Sequence, residues 1–402
     1  MYAGSVALGL CCQITHVRRY SQVTNMENHA DLAVVGAGIL GLAHAYEAAR
    51  RGRRVAVFER SPRAAGASVR NFGLIWPVGQ PHGRLHQMAL RSRARWLEVL
   101  EAARLPYWPD GSLHLVYRGD EAAVAREFAE VAPGLGYRCT WLSADQVLDR
   151  SNAVEPRDLI GALWSDSELT VDPRVTLASL PLYLNERFGV EFRFGCSVRG
   201  IEPPWVQTGD GPWRAERVIV CSGDDFESLY PQVYAQSGLT RVKLQMLRTA
   251  PQPNDWRLGP ALAAGLTLRF YPSFGVCSTL PALQARILAE SPEFERWGIH
   301  GLVSQTACGE LTLGDSHEYG LAIDVFNREE IDDLILRYIS KFLRAPTLRV
   351  AQRWHGVYAK HPEKPYLILE PEAGVRIVTS PGGSGMTLSF GVAAETIDEI
   401  GL

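Results

Sequence analysis

Residues Asp31–Glu59 read DLAVVGAGILGLAHAYEAARRGRRVAVFE, and this stretch decides the fold. Asp31–Val35 is a short apolar strand, Ile39 to Arg51 has the small residues of a tightly packed helix, and Arg54–Phe58 is a second strand that ends at Glu59. Between the first strand and the helix lies Gly36-Ala37-Gly38-Ile39-Leu40-Gly41. A lone G-x-G-x-x-G is a weak signal, but between a strand and a helix, with an acidic residue closing the next strand, it is a dinucleotide fingerprint. Gly36 permits the tight turn, Gly38 lets the backbone approach a pyrophosphate, and Gly41 lets helix and strand pack closely. Ile39 opens the helix, whose N-terminus favours phosphate. Glu59 is placed to accept hydrogen bonds from ribose hydroxyls, with Arg60 beside it, and an acid there disfavours a 2′-phosphate. NAD and FAD remain open from this segment alone.

The chain has 402 residues, 46% hydrophobic and 21% charged, with a net charge of −3. That is the composition of a globular protein of two or three domains, with no basic surface for nucleic acid. No apolar run reaches the length of a membrane span. The seven cysteines show neither C-x-x-C pairs nor zinc spacing, so no metal is expected. Their odd, scattered set fits a reducing compartment and a cytoplasmic location, with most of them acting as small buried hydrophobes. Residues 1–25 lack Asp and Glu and carry Arg18 and Arg19. They read as a disordered tail or a weak organellar presequence.

Beyond Glu59, helical spacing covers Arg84 to Leu105, Pro173 to Arg187 and Glu329 to Leu343. Strand-like segments fall at Val190–Phe194, Arg217–Cys221, Leu348–Gln352 and Val375–Thr379. Gly265–Tyr271, Gly301–Gln305 and Gly309–Leu313 suggest an antiparallel sheet. A Gly-rich turn, Pro381–Gly385, precedes a terminal helix. Nucleotide-fold signals thus recur at the start, middle and end. The expected fold is α/β: a Rossmann-like dinucleotide domain interleaved with an α+β, antiparallel-sheet substrate domain. The expected segments are a tail to residue 30, a cofactor domain of 31–80, 160–235 and 350–402, and a substrate domain of 81–159 and 236–349.

Three further motifs choose between the cofactors. Gly66-Ala67-Ser68 followed by Arg70-Asn71-Phe72-Gly73 supplies small residues, a hydroxyl, a cation and an amide just after Glu59. This segment resembles the flavin-contacting segment of the D-amino-acid oxidase, glycine oxidase and sarcosine oxidase superfamily. The resemblance extends to Ser197–Ile201, where Val198 is expected against adenine, and to Arg217–Gly223, where Ser222 and Gly223 lie near the ribityl and pyrophosphate groups. It extends also to Gly382–Thr387, where Gly383, Ser384, Gly385, Met386 and Thr387 form the loop over the flavin pyrimidine. It implies FAD, bound non-covalently because Arg70–Gly73 has no His or Cys at the usual attachment point. It also implies oxidation of an amine C–N bond, with hydride passing to the flavin and the imine hydrolysing to a carbonyl compound.

Two departures from that family bear on the substrate. The W-x-G-x-R segment of amino-acid-oxidising relatives is here Trp354-His355-Gly356-Val357-Tyr358, with Tyr358 in place of the carboxylate-binding Arg. Thr312 stands where some sarcosine oxidase relatives have an oxygen-activating Lys, which leaves oxygen or another electron acceptor open. The run Gly314-Asp315-Ser316-His317-Glu318-Tyr319-Gly320 is a polar candidate for the substrate wall. His317 and Tyr358 are its candidate catalytic residues, and Arg70, His317, Tyr358 and Lys360 could hold an anionic substrate. Arg70–Pro81, Val242–Met246, Gly314–Gly320 and Gly382–Gly391 together resemble a subgroup of FAD-dependent oxidoreductases linked to aminophosphonate breakdown. That resemblance implies 2-aminoethylphosphonate or an N-alkyl form as substrate; an amino acid or sarcosine-like amine, or a 2-hydroxy acid, is the alternative. Oligomeric state is left open.

Overall fold

The computed structural model describes residues 28–402. The readings for residues 1–25 therefore lie outside the described residues. Two large sheets organise the rest. In the first, His29–Val35 lies between Val55–Glu59 and Gly211–Val220, parallel to both. Glu191–Phe194 and Val375–Thr379 extend it, also in parallel, on either side. Alternation along these strands explains their continuous apolar character, because both faces are covered. Leu32, Val34, Val57 and Ile219 face a layer of helices, Ile39–Ala49, Arg84–Ala102, Pro173–Phe188 and Gly385–Glu399. Ala33, Phe58, Val218 and Val220 face the opposite core, with Trp213, Phe226 and Tyr234.

The second sheet has nine strands. Its longest pair is Thr240–Thr249 with Val350–Lys360, antiparallel along almost the whole length of both. Leu311–Gly314 and Glu318–Gly320 pair with the other edge of Thr240–Thr249. The sheet is antiparallel except where Ala261–Ala264 runs parallel to Ser112–Val116. Its own core includes Leu113, Phe128, Phe274, Leu313, Ile335 and Phe342.

The structure departs from the sequence expectations in four places. Gly265–Tyr271 is not a strand: the strand is Ala261–Ala264, and Gly265–Leu268 is a helical turn. Tertiary bonds hold that turn, with the Tyr338 hydroxyl accepting from Leu266 N–H at 2.9 Å and Thr267 Oγ1 donating to the Gly301 carbonyl. Val350–Lys360, expected to begin a return to the cofactor half, is bonded into the second sheet. Gly161–Ser165, also assigned to the cofactor half, pairs with Ser112–Val116 and Cys139–Ser143 in that sheet. Conversely the helix Arg84–Ala102, assigned to the substrate half, buries Met88, Trp96, Val99 and Leu100 in the first core. It crosses the terminal helix so closely that a Cβ on Gly391 would stand 2.4 Å from Met88 Cγ. Cys139, Cys196, Cys221 and Cys277 are buried free thiols. No helix among the described residues is long and apolar enough to cross a membrane.

Candidate active site

The glycine turn is built by close contacts. Gly36 has φ +101°, and a Cβ there would lie 2.4 Å from the Cys221 carbonyl oxygen. A Cβ on Gly41 would lie 1.9 Å from the Gly36 carbonyl oxygen, so the helix begins hard against the strand ends. Gly38 is the N-cap; it offers no side-chain cap, and the first turn carries no acid. Ser68 Oγ accepts the Ile39 N–H at 2.9 Å, which ties the Gly66–Val69 segment to the helix N-terminus. Glu59 accepts N–H bonds from Ala37 and Ser61, each at 2.9 Å, and so fixes the loop on both sides of the turn.

A single cavity of about 1190 Å³ runs from this turn to the second sheet. Gly36, Gly38, Ile39, Glu59, Arg60, Ser68, Arg70 and Asn71 line one part of it, with Val198, Ser222 and Gly223 beside them. Gly383, Ser384, Gly385, Met386 and Thr387 form a further wall, and His317, Tyr358 and Lys360 lie on the second-sheet side. Of the residues expected at the site, Gly41 alone stands behind the wall, where its role is packing. The volume exceeds the roughly 300–1,000 Å³ of pockets for single small ligands and leaves room for a dinucleotide with a small substrate.

Several side chains expected on the cofactor are already committed to the protein. The Asn71 amide donates to the Ala67 and Ser68 carbonyls and accepts from Gly73 N–H, so it organises its own loop. Ser222 Oγ is bonded to the Asp225 carbonyl and to the Tyr234 hydroxyl. Thr387 Oγ1 accepts the buried Trp76 N–H at 2.9 Å, and Ser384 Oγ accepts from Gln80. Arg60 is paired with Asp225 at 2.5 Å. Two hydroxyls that the sequence analysis missed are in the opposite condition. Thr379 Oγ1 and Ser380 Oγ are buried on the cavity wall and have no partner. Buried hydroxyls without partners are costly, and a polar ligand relieves that cost. These hydroxyls, the N–H groups at the Gly38 helix N-terminus that Ser68 and Glu59 leave free, and the N-terminus of Gly385–Glu399 are donors suited to the hydroxyls, phosphates and ring carbonyls of FAD.

The second-sheet wall brings together residues far apart in sequence. Leu244, Met246, Phe270 and Leu302 form its apolar part; Tyr271, His300, Asp315 and His317 its polar part. His317 Nδ1 bonds the Gly298 carbonyl at 3.0 Å, and its ring stacks on Phe270 with centroids 5.2 Å apart. That bond makes Nδ1 the donor, leaving Nε2 as an acceptor in the neutral ring. Burial lowers the His317 pKa, with Asp315 opposing, so binding of an anion there requires protonation on binding. His300 is held neutral down to about pH 3 by burial and by Arg269. Tyr358 is pushed well above its ordinary range by burial and by Asp315, and therefore stays a hydroxyl. Its oxygen lies 3.4 Å from where a Gly383 Cβ would stand, which puts it against the Gly-rich loop. Lys360 Nζ donates to the Tyr319 hydroxyl at 3.2 Å, and Arg70 is exposed and donates to the His355 carbonyl. His300, Tyr271, Thr379 and Ser380 carry no motif; only the spacing of hydroxyls just ahead of Pro381–Gly385 could have drawn attention to the last two.

Residues 31–399 match the family described as FAD dependent oxidoreductase, DAO. The bifunctional protein ThiO/ThiG of Nostoc sp. (strain PCC 7120 / SAG 25.82 / UTEX 2576) is 29% identical over 231 residues, 54% of this chain and 34% of that protein. The chain thus spans about a third of the length of that relative. Glycine oxidase of Geobacillus kaustophilus (strain HTA426) is 24% identical over 282 residues, 66% of each. A crystal structure of glycine oxidase from Geobacillus kaustophilus shares the fold, with a TM-score of 0.73 at 20% identity, covering 93% of this chain and 95% of that one. So does L-alpha-glycerophosphate oxidase from Mycoplasma pneumoniae with FAD bound, with a TM-score of 0.67 at 16% identity, covering 92% and 95%. The glycine turn, the cavity and a match that runs from the first strand to the terminal helix agree: this chain belongs to the DAO family of FAD-dependent oxidoreductases.

Proposed function

We propose that this protein oxidises the C–N bond of a small amine, with FAD held non-covalently in the cavity, and that the amine is an aminophosphonate such as 2-aminoethylphosphonate or its N-alkyl form. The observation that carries the reading is the union, in one cavity, of the cofactor motifs with a wall bearing Tyr358 and Lys360. FAD supplies the acceptor for the hydride that leaves the amine carbon. The chain's part is to bind, orient and exclude water. Leu244, Met246, Leu302 and Phe270 give a dry wall against which a C–H bond can be held. The helix Gly385–Glu399 turns its N-terminus toward the cavity, where its dipole favours negative charge. Tyr358 donates one hydrogen bond and cannot neutralise a carboxylate. Lys360 and Arg70 offer cationic donors to a phosphonate.

The test is anaerobic loss of the flavin absorbance band in purified holoenzyme. One series contains 2-aminoethylphosphonate and its N-methyl form; a second contains glycine, sarcosine and D-alanine; a third contains 2-hydroxy acids. Bleaching by the phosphonates at concentrations where the others are inert is the expected result. Bleaching by the carboxylate amines instead overturns the aminophosphonate part, and bleaching by the hydroxy acids alone overturns amine oxidation.

A further inference from the structure

We propose that Asp315 receives the substrate's ammonium group and takes a proton from it before the C–H bond breaks. The inference rests on the amine reading above. Hydride leaves readily only from a carbon beside a neutral amine, because the nitrogen lone pair must be free to form the new C=N bond. A primary alkylamine is mostly ammonium at neutral pH, as a lysine is. A group in the cavity therefore has to take up that proton.

Asp315 follows the strand Leu311–Gly314 and is 4% exposed. It lines the cavity, and its Oδ1 is buried without a hydrogen-bond partner. His300 Nδ1 is 3.3 Å from that oxygen, but the pair is not aligned as a hydrogen bond. The Asp315 backbone carbonyl accepts the His300 N–H at 2.7 Å, so the position of the residue is fixed while its carboxylate stays available. The groups facing it are His300, His317, Tyr271 and Tyr358, with Tyr319 and Lys360 farther along the same wall. Burial keeps His300 neutral and both of the nearer phenols protonated, and it lowers the pKa of His317, whose Nδ1 is already spent on the Gly298 carbonyl. No neighbour therefore meets the Asp315 charge with a hydrogen-bonded cation.

Of the other acids on the cavity wall, Asp224 is only half-buried and Glu363 is exposed, and the remaining two are committed. Glu59 is held by two backbone N–H groups and Asp225 by Arg60. A buried carboxylate oxygen without a partner, as Asp315 Oδ1 is, is costly, and an arriving ammonium relieves the cost. Burial pushes the Asp315 carboxyl up to about 6, with His317 pulling it back. It is ionised at neutral pH and yet a far better proton acceptor than a surface carboxylate. The step balances: R–CH2–NH3+ and the Asp315 carboxylate give R–CH2–NH2 and the Asp315 carboxylic acid. Hydride then leaves the carbon with two electrons for FAD, and the nitrogen lone pair closes the C=N bond of the protonated imine.

The test uses holoenzyme and a ligand pair that cannot be oxidised. In 2-amino-2-methylpropylphosphonate the amine carbon carries no hydrogen; 2-hydroxy-2-methylpropylphosphonate is its uncharged counterpart at that position. Binding is read from perturbation of the flavin spectrum. In the wild type, affinity for the amine ligand is expected to rise as pH rises through about 6, while affinity for the alcohol does not. Asp315→Asn is expected to weaken the amine ligand at least tenfold and the alcohol less than threefold, and to flatten the pH dependence. With oxidisable amines the same variant is expected to shift the pH midpoint of flavin reduction upward, toward that of the free amine, with rates recovering at high pH. Equal losses for both ligands, or a pH midpoint that does not move, would overturn the role of Asp315. The wild-type pH comparison needs no variant and decides the matter should Asp315→Asn lose its flavin. If no amine bleaches the wild-type flavin, the oxidation reading fails, while the binding contrast still decides whether Asp315 receives a cation.

Discussion

Gly41→Ala tests how the turn creates its binding site. A Cβ at this position would stand 1.9 Å from the Gly36 carbonyl oxygen and 3.3 Å from Val34 Cγ1. Non-bonded heavy atoms sit best at about 3.5 Å, so helix and turn have to separate by roughly 1.5 Å. The obstacle is backbone, which cannot rotate aside. Overpacking of this kind costs about 1–3 kcal/mol, and a rigid obstacle puts the substitution at the upper end, near a hundredfold in an equilibrium constant. The separation carries the helix N-terminus away from Glu59 and Ser68, which now clasp it through Ala37 and Ile39. The cost therefore falls on FAD affinity as well as on stability. The assay is FAD retained per chain after purification, followed by titration of stripped protein with FAD. Gly119→Ala is the control, because nothing lies within 4 Å of its Cβ position. An FAD affinity for Gly41→Ala within threefold of the parent would refute the argument, since it would mean that the close helix–strand contact does not set the cofactor site.

Thr387→Val keeps shape and removes the hydroxyl that accepts the buried Trp76 N–H. Urea unfolding is expected to show a loss of about 1–3 kcal/mol, with the FAD content of the folded protein unchanged. Lys360→Met is expected to weaken phosphonate ligands by roughly tenfold to a hundredfold, as for a charge-assisted hydrogen bond of about 1.5–3 kcal/mol. Amines without an anionic group should bind as before in the same titration. Asp315 gives a pH signature in cofactor-free protein. Its folded carboxyl is raised to about 6 from an ordinary value of 3.8, so the stability it contributes is present below 3.8 and is lost as pH rises through about 6, by at most roughly 3 kcal/mol. Chemical unfolding of wild type and Asp315→Asn at several pH values between 4 and 8 should give curves that diverge upward in favour of the variant.

The parts of the molecule legible in the sequence are those in which one local rule decides the structure. Gly36, Gly38 and Gly41 announce a turn because no other residue tolerates Gly36's φ of +101° or the contacts behind Gly41. The strands around them are apolar on both faces because helices and a second core cover both. Gly382–Thr387 was legible for the same reason. The substrate wall was not, because its members meet only through tertiary structure. Tyr271, His300, Asp315 and Tyr358 come from four separate segments, and nothing in the sequence of any one announces the others. Asp315 and His317 were visible as a polar run, but which of them carries an unspent group depends on Gly298, whose carbonyl occupies His317 Nδ1. Likewise Asn71, Ser222 and Thr387 have the right chemistry for a cofactor, and only the folded neighbours reveal that they are committed elsewhere. Gly265–Tyr271 misled because an alternating apolar pattern is overridden by bonds to Tyr338 and Gly301.

The central claim is oxidation of a C–N bond at FAD in this cavity, and product stoichiometry tests it most directly. Holoenzyme is mixed anaerobically with N-methyl-2-aminoethylphosphonate, and the flavin bleached, the amine released and the carbonyl compound trapped by a hydrazine are counted together. The account requires one amine and one trapped carbonyl per flavin bleached. Bleaching without release of an amine would contradict it.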